Sequence, residues 1–454
     1  MYQIVYTEFM AKNNFSLIKT ILLLILLPFV IFGVKKILDL RKHASGTPAN
    51  IVIDSQNIQG QIPSTLWQNI SQGGEESVDM IKPIVPLLRN LQPQLVRIDH
   101  IFDFYQIDQG QGNYNFSRLD EAINSILATG AKPMLSVSYT PDSQAPTDWN
   151  QWYQLVKATA RHYSVDKNIS GIYYEVWNEP DLFGGWHYNK DPDYLTLYSH
   201  TSRAIVDGAA LSNYKIGGPA ITAYYNNWIK ALFKTATDQH LRLDFISWHK
   251  YTKDIDKYQQ DFDNLNQIIS DYPQFFNIER IITEVGPNSD PDIWYDNSLS
   301  GIHLISLSTR LAGKIHRLFT FEAVDGPTPR SQNSTGWGLI AHDLKPKPRY
   351  SAFQFLNQLQ GQRLSSTGDG SWVTSLSSLH GQTIQILLVN YDPQNTHFET
   401  FPLTVQNLTT GQYKLKTNYY MGKTTFKTVN TTANYRDQIY LEPNSAVLLE
   451  LTKI

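Results

Sequence analysis

The chain has 454 residues, 41% of them hydrophobic and 17% charged, with a formal net charge of −3. That length implies more than one domain, that composition supplies a sizeable core, and that charge leaves no electrostatic footprint for nucleic acid or an anionic membrane surface. There is no cysteine, so disulfides, thiolate metal ligands and thiol nucleophiles are excluded.

Residues 20–34 read TILLLILLPFVIFGV, without charge, between Lys19 and the pair Lys35 and Lys36. About fifteen residues span roughly 22 Å as a helix, short of the ~30 Å hydrocarbon core of a bilayer. Ile37 and Leu38 extend the run, the flanking lysines can snorkel, and no small-residue cleavage site follows. An uncleaved transmembrane signal anchor is expected here. Residues 1–46 are therefore read as anchor and polar linker. Residues 47–65, containing the apolar Ile51-Val52-Ile53, are read as a strand joining the two folded domains.

A rhythm of apolar run and helical pattern then fills residues 66–360. The pairs are strand 66–70 with helix 75–91, 94–99 with 117–129, 132–138 with 148–163, and 171–178 with 192–211. They continue as 214–218 with 226–239, 244–250 with 256–272, 279–284 with 297–313, and 315–322 with 350–359. In the second helix Leu119, Ile123, Ile126 and Leu127 share a face and Gly130 stops the run. Eight such units predict an α/β fold, a (β/α)8 TIM barrel. The rival open doubly wound sheet lacks its Gly-x-Gly-x-x-Gly phosphate loop. Residues 361–454 carry only strand patterns, at 372–376, 383–390, 401–405, 413–419 and 445–451, separated by turns such as Gly368-Asp369-Gly370. A C-terminal β-sandwich is expected, with the Ile51 strand as a candidate member.

In a barrel of this kind the C-terminal strand ends carry the chemistry. Glu179 ends the fourth strand and Glu284 the seventh. Two carboxyl groups across one barrel mouth suit glycoside hydrolysis, in which one donates a proton to the leaving oxygen and the other attacks the anomeric carbon.

Here the sequence resembles a known group. Trp177-Asn178-Glu179-Pro180 is similar to the acid/base motif of the retaining (β/α)8 glycosidases of clan A, and Thr283-Glu284-Val285-Gly286 to their nucleophile strand. Val96-Arg97-Ile98-Asp99-His100, Ile216-Gly217-Gly218-Pro219-Ala220 and the stretch from Phe245 to Tyr251 resemble strands two, five and six of glycoside hydrolase family 39. That family includes β-xylosidases, α-L-iduronidases and bacterial exopolysaccharide glycosidases. The resemblance implies that Glu179 is the acid/base, Glu284 the nucleophile and Asn178 the partner of the sugar 2-hydroxyl. It implies that Arg97 reaches Glu284 and lowers its pKa, with a structural ion pair to Glu175 as the other reading. His249 and Tyr251 would stand near nucleophile or sugar, a core role being equally open for His249. Trp186 is a candidate sugar platform. The eighth strand, Phe319-Thr320-Phe321-Glu322, lacks the tryptophan many clan members have, and Trp337 is expected to substitute.

The expected function is retaining hydrolysis of a poly- or oligosaccharide. A transglycosylase, or a membrane-tethered glycan-binding protein on an inactive barrel, is the alternative. No metal or cofactor is expected, since His200, His240 and His249 show no ligand spacing with acidic partners. The expected partners are a carbohydrate and, through the N-terminal helix, a membrane. Lys35, Lys36, Arg41 and Lys42 argue for a cytoplasmic C-terminal part. A polysaccharide substrate argues for the extracytoplasmic side, which is the expectation adopted.

Overall fold

A computed structural model of the chain describes residues 46–454 except 75, 143–144 and 328–335. The expected membrane anchor at 20–34 lies outside the described residues; among those described, no helix is long and apolar enough to cross a membrane. The first described strand, β1 (Ile51–Gln61), belongs to the C-terminal sheet and not to the barrel.

Eight parallel strands close the barrel in chain order: β2 (Asn69–Gln72), β3 (Leu95–Ile98), β4 (Lys132–Val137), β5 (Ile172–Val176), β6 (Tyr214–Ile221), β7 (Phe245–Tyr251), β8 (Glu279–Gly286) and β9 (Arg317–Phe321). β9 pairs back onto β2. Strand residues two apart share a face, and this sets what fills the barrel. Leu95, Met134, Tyr173, Phe245, Ile281 and Phe319 form one buried apolar cluster near the strand starts. Two residues further along stand Arg97, Ser136, Glu175, Ser247 and Thr283, all buried and polar. The interior is thus apolar at one end and becomes polar toward the end that carries Glu179 and Glu284.

The helices are α1 (Val85–Arg89), α2 (Ser117–Ala128), α3 (Trp149–Arg161), α4 (Tyr194–Ala209), α5 (Asn226–Asp238), α6 (Asp256–Ser270), α7 (Ser298–Leu311) and α8 (Pro348–Leu356). Asp148 caps α3 by accepting from the amides of Asn150 and Gln151, and Asp193 caps α4 in the same way. The expected helix over 75–91 is not formed. Pro83 and Pro86 remove donors within it, and only a short 3-10 turn and α1 survive.

The C-terminal part is a nine-stranded sheet in the order β15-β14-β17-β12-β11-β10-β1-β13-β16. Its strands after β1 are β10 (Gln362–Thr367), β11 (Val373–His380), β12 (Thr383–Asn390), β13 (Glu399–Gln406), β14 (Gly411–Tyr419), β15 (Thr424–Thr431), β16 (Tyr435–Leu441) and β17 (Ser445–Lys453). Phe401 and Leu403 of β13 share one core with Tyr413 and Leu415 of β14, so the two ends of the sheet fold over each other. β11 and β12 are buried on both faces along nearly all their length. Ile384, Ile386 and Leu388 enter that core, while Leu387 and Val389 join the apolar cluster of the barrel. This two-sided burial is why β12 reads as a continuous apolar run and not an alternating one.

Candidate active site

The chain turns sharply where β5 stops. Trp177 and Glu179 have φ of 71° and 46°, in the left-handed region that residues with a Cβ seldom adopt. The turn is fixed by the Glu179 amide, which donates to the Ala220 carbonyl at 2.9 Å, and by the buried Trp177 indole, whose Nε1 donates to the Phe183 carbonyl at 3.0 Å. Asn178 and Glu179 consequently both line one cleft of about 1060 Å³, and Glu284 comes to it from β8.

Arg97 ties these groups together from below. Its Nε donates to Glu175 Oε2 at 2.6 Å, Nη1 to Glu284 Oε1 at 3.0 Å and to Ser71 Oγ at 3.2 Å, and Nη2 to Asn178 Oδ1 at 2.8 Å. The two readings of Arg97 are therefore not alternatives, because one planar guanidinium has enough donors for both carboxylates. Asn178 is held at its other end, its Nδ2 donating to the Tyr139 hydroxyl at 3.1 Å.

His249 lies between the two glutamates. Its Nδ1 is 2.8 Å from Glu179 Oε1 and 3.4 Å from Glu284 Oε2. Burial alone would keep the imidazole neutral, but Glu284 and the hydrogen bond to Glu179 outweigh it and raise its pKa above the ordinary value. Tyr251 donates to Glu284 Oε2 at 2.7 Å. The Glu284 carboxyl is nevertheless shifted upward. Its burial is the largest influence, the charges of His249 and Arg97 oppose it, and the nearby Glu179 adds to it. The sequence predicted a value set low by Arg97; that pull exists, but loss of water is stronger.

Closest donor atoms of Glu179, His249 and Glu284 all lie within 4.8 Å of one another. As one imidazole and two carboxylates this is also the set of described side chains that could hold a divalent cation. The guanidinium of Arg97 already supplies positive charge at the same place.

The aromatic candidates separate. Trp337 lines the cleft, packs edge-on to Phe321 with centroids 5.7 Å apart, and donates through Nε1 to the Ser289 carbonyl at 3.1 Å. Trp186 is not at the cleft. It is 2% exposed and lies against Trp177, centroids 5.4 Å apart, so no sugar face can rest on it. The Phe183-Gly184-Gly185 turn preceding it tucks the ring inward. Tyr225 and Phe183, both partly exposed, line the cleft instead. Sequence reasoning had Tyr225 as a candidate platform but passed over Tyr139 and Asp99, which follow the ends of β4 and β3 and line the cleft. Their position just past strand ends was the available signal.

Residues 89–304 match the family model described as Glycosyl hydrolases family 39. The beta-xylosidase of Geobacillus stearothermophilus is 26% identical over 299 residues, covering 56% of this chain and 58% of that protein. The beta-xylosidase of Caldicellulosiruptor saccharolyticus is 27% identical over 300 residues, covering 57% and 60%. The matched stretch thus spans less than two thirds of either relative. Among solved structures, the GH39 enzyme from Xanthomonas axonopodis pv. citri superposes with a TM-score of 0.72 at 19% identity, over 90% of this chain and 98% of that one. A monomeric beta-xylosidase from Caulobacter crescentus CB15 gives 0.73 at 18%, over 89% and 100%. At such identities the likeness is one of fold.

Proposed function

We propose, from the match of residues 89–304 to the model of glycosyl hydrolases family 39, that the chain is a retaining glycosidase working by double displacement. The observation that carries this reading is the approach of the Glu179 and Glu284 side chains, whose closest donor atoms are within 4.8 Å. Retaining pairs stand about 5–5.5 Å apart, while inverting pairs leave room for a water at roughly 6.5–9.5 Å.

In the first step an oxygen of Glu284 bonds to the anomeric carbon as the bond to the leaving oxygen breaks, and Glu179 gives that oxygen its proton. In the second, Glu179 takes a proton from water, the water oxygen bonds to the anomeric carbon, and the ester to Glu284 breaks. Arg97 and Tyr251 hold the attacking carboxylate, and in this reading Asn178 meets the sugar 2-hydroxyl. The likeness to two beta-xylosidases makes aryl β-xylosides the first substrates to assay. We further propose that residues 20–34 tether the enzyme to a membrane with its barrel outside the cytoplasm. Release of the full chain from membranes by carbonate, or protease protection of the barrel in intact cells, would refute one or the other part.

The mechanism is tested with Glu179→Ala and an aryl glycoside bearing a good leaving group. Added azide should restore turnover and yield the glycosyl azide of retained configuration. A fully active variant, or an inverted product from the wild type, would overturn the reading.

A further inference from the structure

Asp99 stands just past β3, two residues beyond Arg97, and lines the cleft. It is 7% exposed. Its Oδ1 is sealed from solvent without a hydrogen-bond partner, and Asp99 accepts no side-chain or loop hydrogen bond from any described residue. Its neighbours are engaged elsewhere. His100 Nδ1 pairs with Asp103 at 2.7 Å, and Arg97 serves Glu175, Glu284, Asn178 and Ser71. A carboxyl taken out of water and given no donor in return is expensive, and native proteins seldom leave one so. Burial accordingly raises its pKa, against the pull of His100 and Arg97.

The wall beside Asp99 is built to be narrow. Gly74 has no Cβ where one would overlap the His100 ring, and a Cβ on Gly73 would lie 2.8 Å from the Phe321 ring. The loop after β2 can therefore lie directly against both rings. His100 is in turn stacked between Phe104 and Tyr139, at 4.2 and 4.3 Å between centroids, so Asp99 cannot turn away into a softer region on that side. Asp99 is also within electrostatic reach of His249 and Arg97, which places it at the end of the cleft where Glu284 stands.

Resting on the glycosidase reading above, we propose that Asp99 is the specificity-determining residue for the sugar ring attacked by Glu284, accepting hydrogen bonds from ring hydroxyls of a neutral glycone and excluding a glycone that bears a carboxylate. An ionised carboxylate is acceptor-only and complements a pair of hydroxyl donors. An acidic sugar would instead bring a third negative charge toward Asp99 and Glu284. Of the described cations there, Arg97 is engaged as above and Lys250 pairs with Asp261 at 2.9 Å, while Lys257 lines the cleft from α6. Like charges placed so close in a desolvated site discriminate strongly.

The test compares the full-length wild type with Asp99→Asn on an aryl glycoside, each of its monodeoxy counterparts, its amino-sugar counterpart and its uronide. The wild type should favour the neutral sugar over the uronide by about 100-fold or more in kcat/KM, and over the amino sugar as well. Asp99→Asn should lose roughly 10–100-fold on the parent glycoside, the span of a hydrogen bond to a charged group. It should lose under about 3-fold on at least one monodeoxy substrate, because that hydroxyl is already missing. The variant should melt no lower than wild type, since an amide is easier to bury than an unpaired carboxyl. Equal losses on the parent and every monodeoxy substrate, or a wild type preferring the uronide or the amino sugar, would overturn the proposal while leaving the glycosidase reading intact. A wild type that turns over nothing in the panel, and is not labelled at Glu284 by an activated 2-fluoro glycoside, would overturn both.

Discussion

Arg97 Nη1 donates to Glu284 Oε1 at 3.0 Å while the same guanidinium, through Nε, holds Glu175 at 2.6 Å. A cation buried between two strands thus fixes the direction of a third strand's carboxylate. Lysine has the charge but not the planar fork. Arg97→Lys is expected to lower kcat on an aryl glycoside by about 100-fold, the cost of a roughly 1 Å misplacement. Arg97→Met, which leaves the fully buried Glu175 carboxylate without its only described side-chain partner, should destabilise the fold by roughly 3–5 kcal/mol. Steady-state kinetics on the first variant and denaturant unfolding of the second check these.

The pH–rate profile should respond to His249. Glu284 must be ionised to attack, and the charge of His249 is the largest influence holding its raised pKa down. His249→Asn removes that charge, so the Glu284 carboxyl rises further and the acidic limb of kcat/KM moves to higher pH. Tyr251→Phe deletes the 2.7 Å hydrogen bond to Oε2 and should move the limb the same way, by less. An acidic limb unchanged in both variants would mean that it reports another group.

Glu322 offers a stability measurement at the same barrel end. It is fully buried, accepts from Gln72 Nε2 at 3.0 Å, and has no partner at Oε1. Burial, with Asp325 and Glu284 adding to it, raises its pKa well above the ordinary value of 4.5. A raised folded pKa means that the native state holds the proton more tightly. The associated stability is complete below about pH 4.5 and is lost as pH rises through the folded value. Glu322→Gln cannot titrate. Its melting temperature relative to wild type should therefore climb with pH from about 4.5 upward, and a difference independent of pH would refute the assignment.

The seam between barrel and sheet can be probed at Gly301 on α7. A Cβ there would overlap the Tyr420 hydroxyl, which donates to the Pro348 carbonyl at 2.7 Å. Tyr420 cannot retreat without losing that bond. Gly301→Ala should cost about 1–3 kcal/mol, the usual penalty of overpacking, and Tyr420→Phe combined with it should recover part of the loss. Thermal unfolding of the two variants decides this.

The barrel was legible because most of its strands carry a buried apolar run and most of its longer helices an apolar face, so the rhythm survives in the sequence. What stayed hidden has physical causes. β15 and β16 were not read as strands, for β15 is an edge with nearly all its residues exposed and β16 buries little beyond Tyr435 and Leu441; neither leaves a strong apolar pattern. Trp186 looked like a platform because composition cannot tell a ring facing a cleft from one behind Trp177. His249 could be read as core or as site, and it is both: fully buried, yet in contact with Glu179 and Glu284. Asp99 drew no attention since its meaning lies in the hydrogen bonds it lacks.

The placement of β1 has a consequence for biosynthesis. β1 pairs antiparallel with β10 through Ile53 and Ser366, and parallel with β13 through Ile53 and Val405. Both its edges stay open on the ribosome until the whole barrel and much of the sheet have been made. During that interval the apolar start of β1, Ile51-Val52-Ile53, is available with two free edges to neighbouring nascent chains. Holdase chaperones, or attachment of the preceding residues to a surface that keeps chains apart, would shield it. Expression of residues 66–360 alone would escape this hazard but would uncover Leu387, Val389 and Leu448's partners on the barrel, so the two halves of the molecule are obliged to mature together.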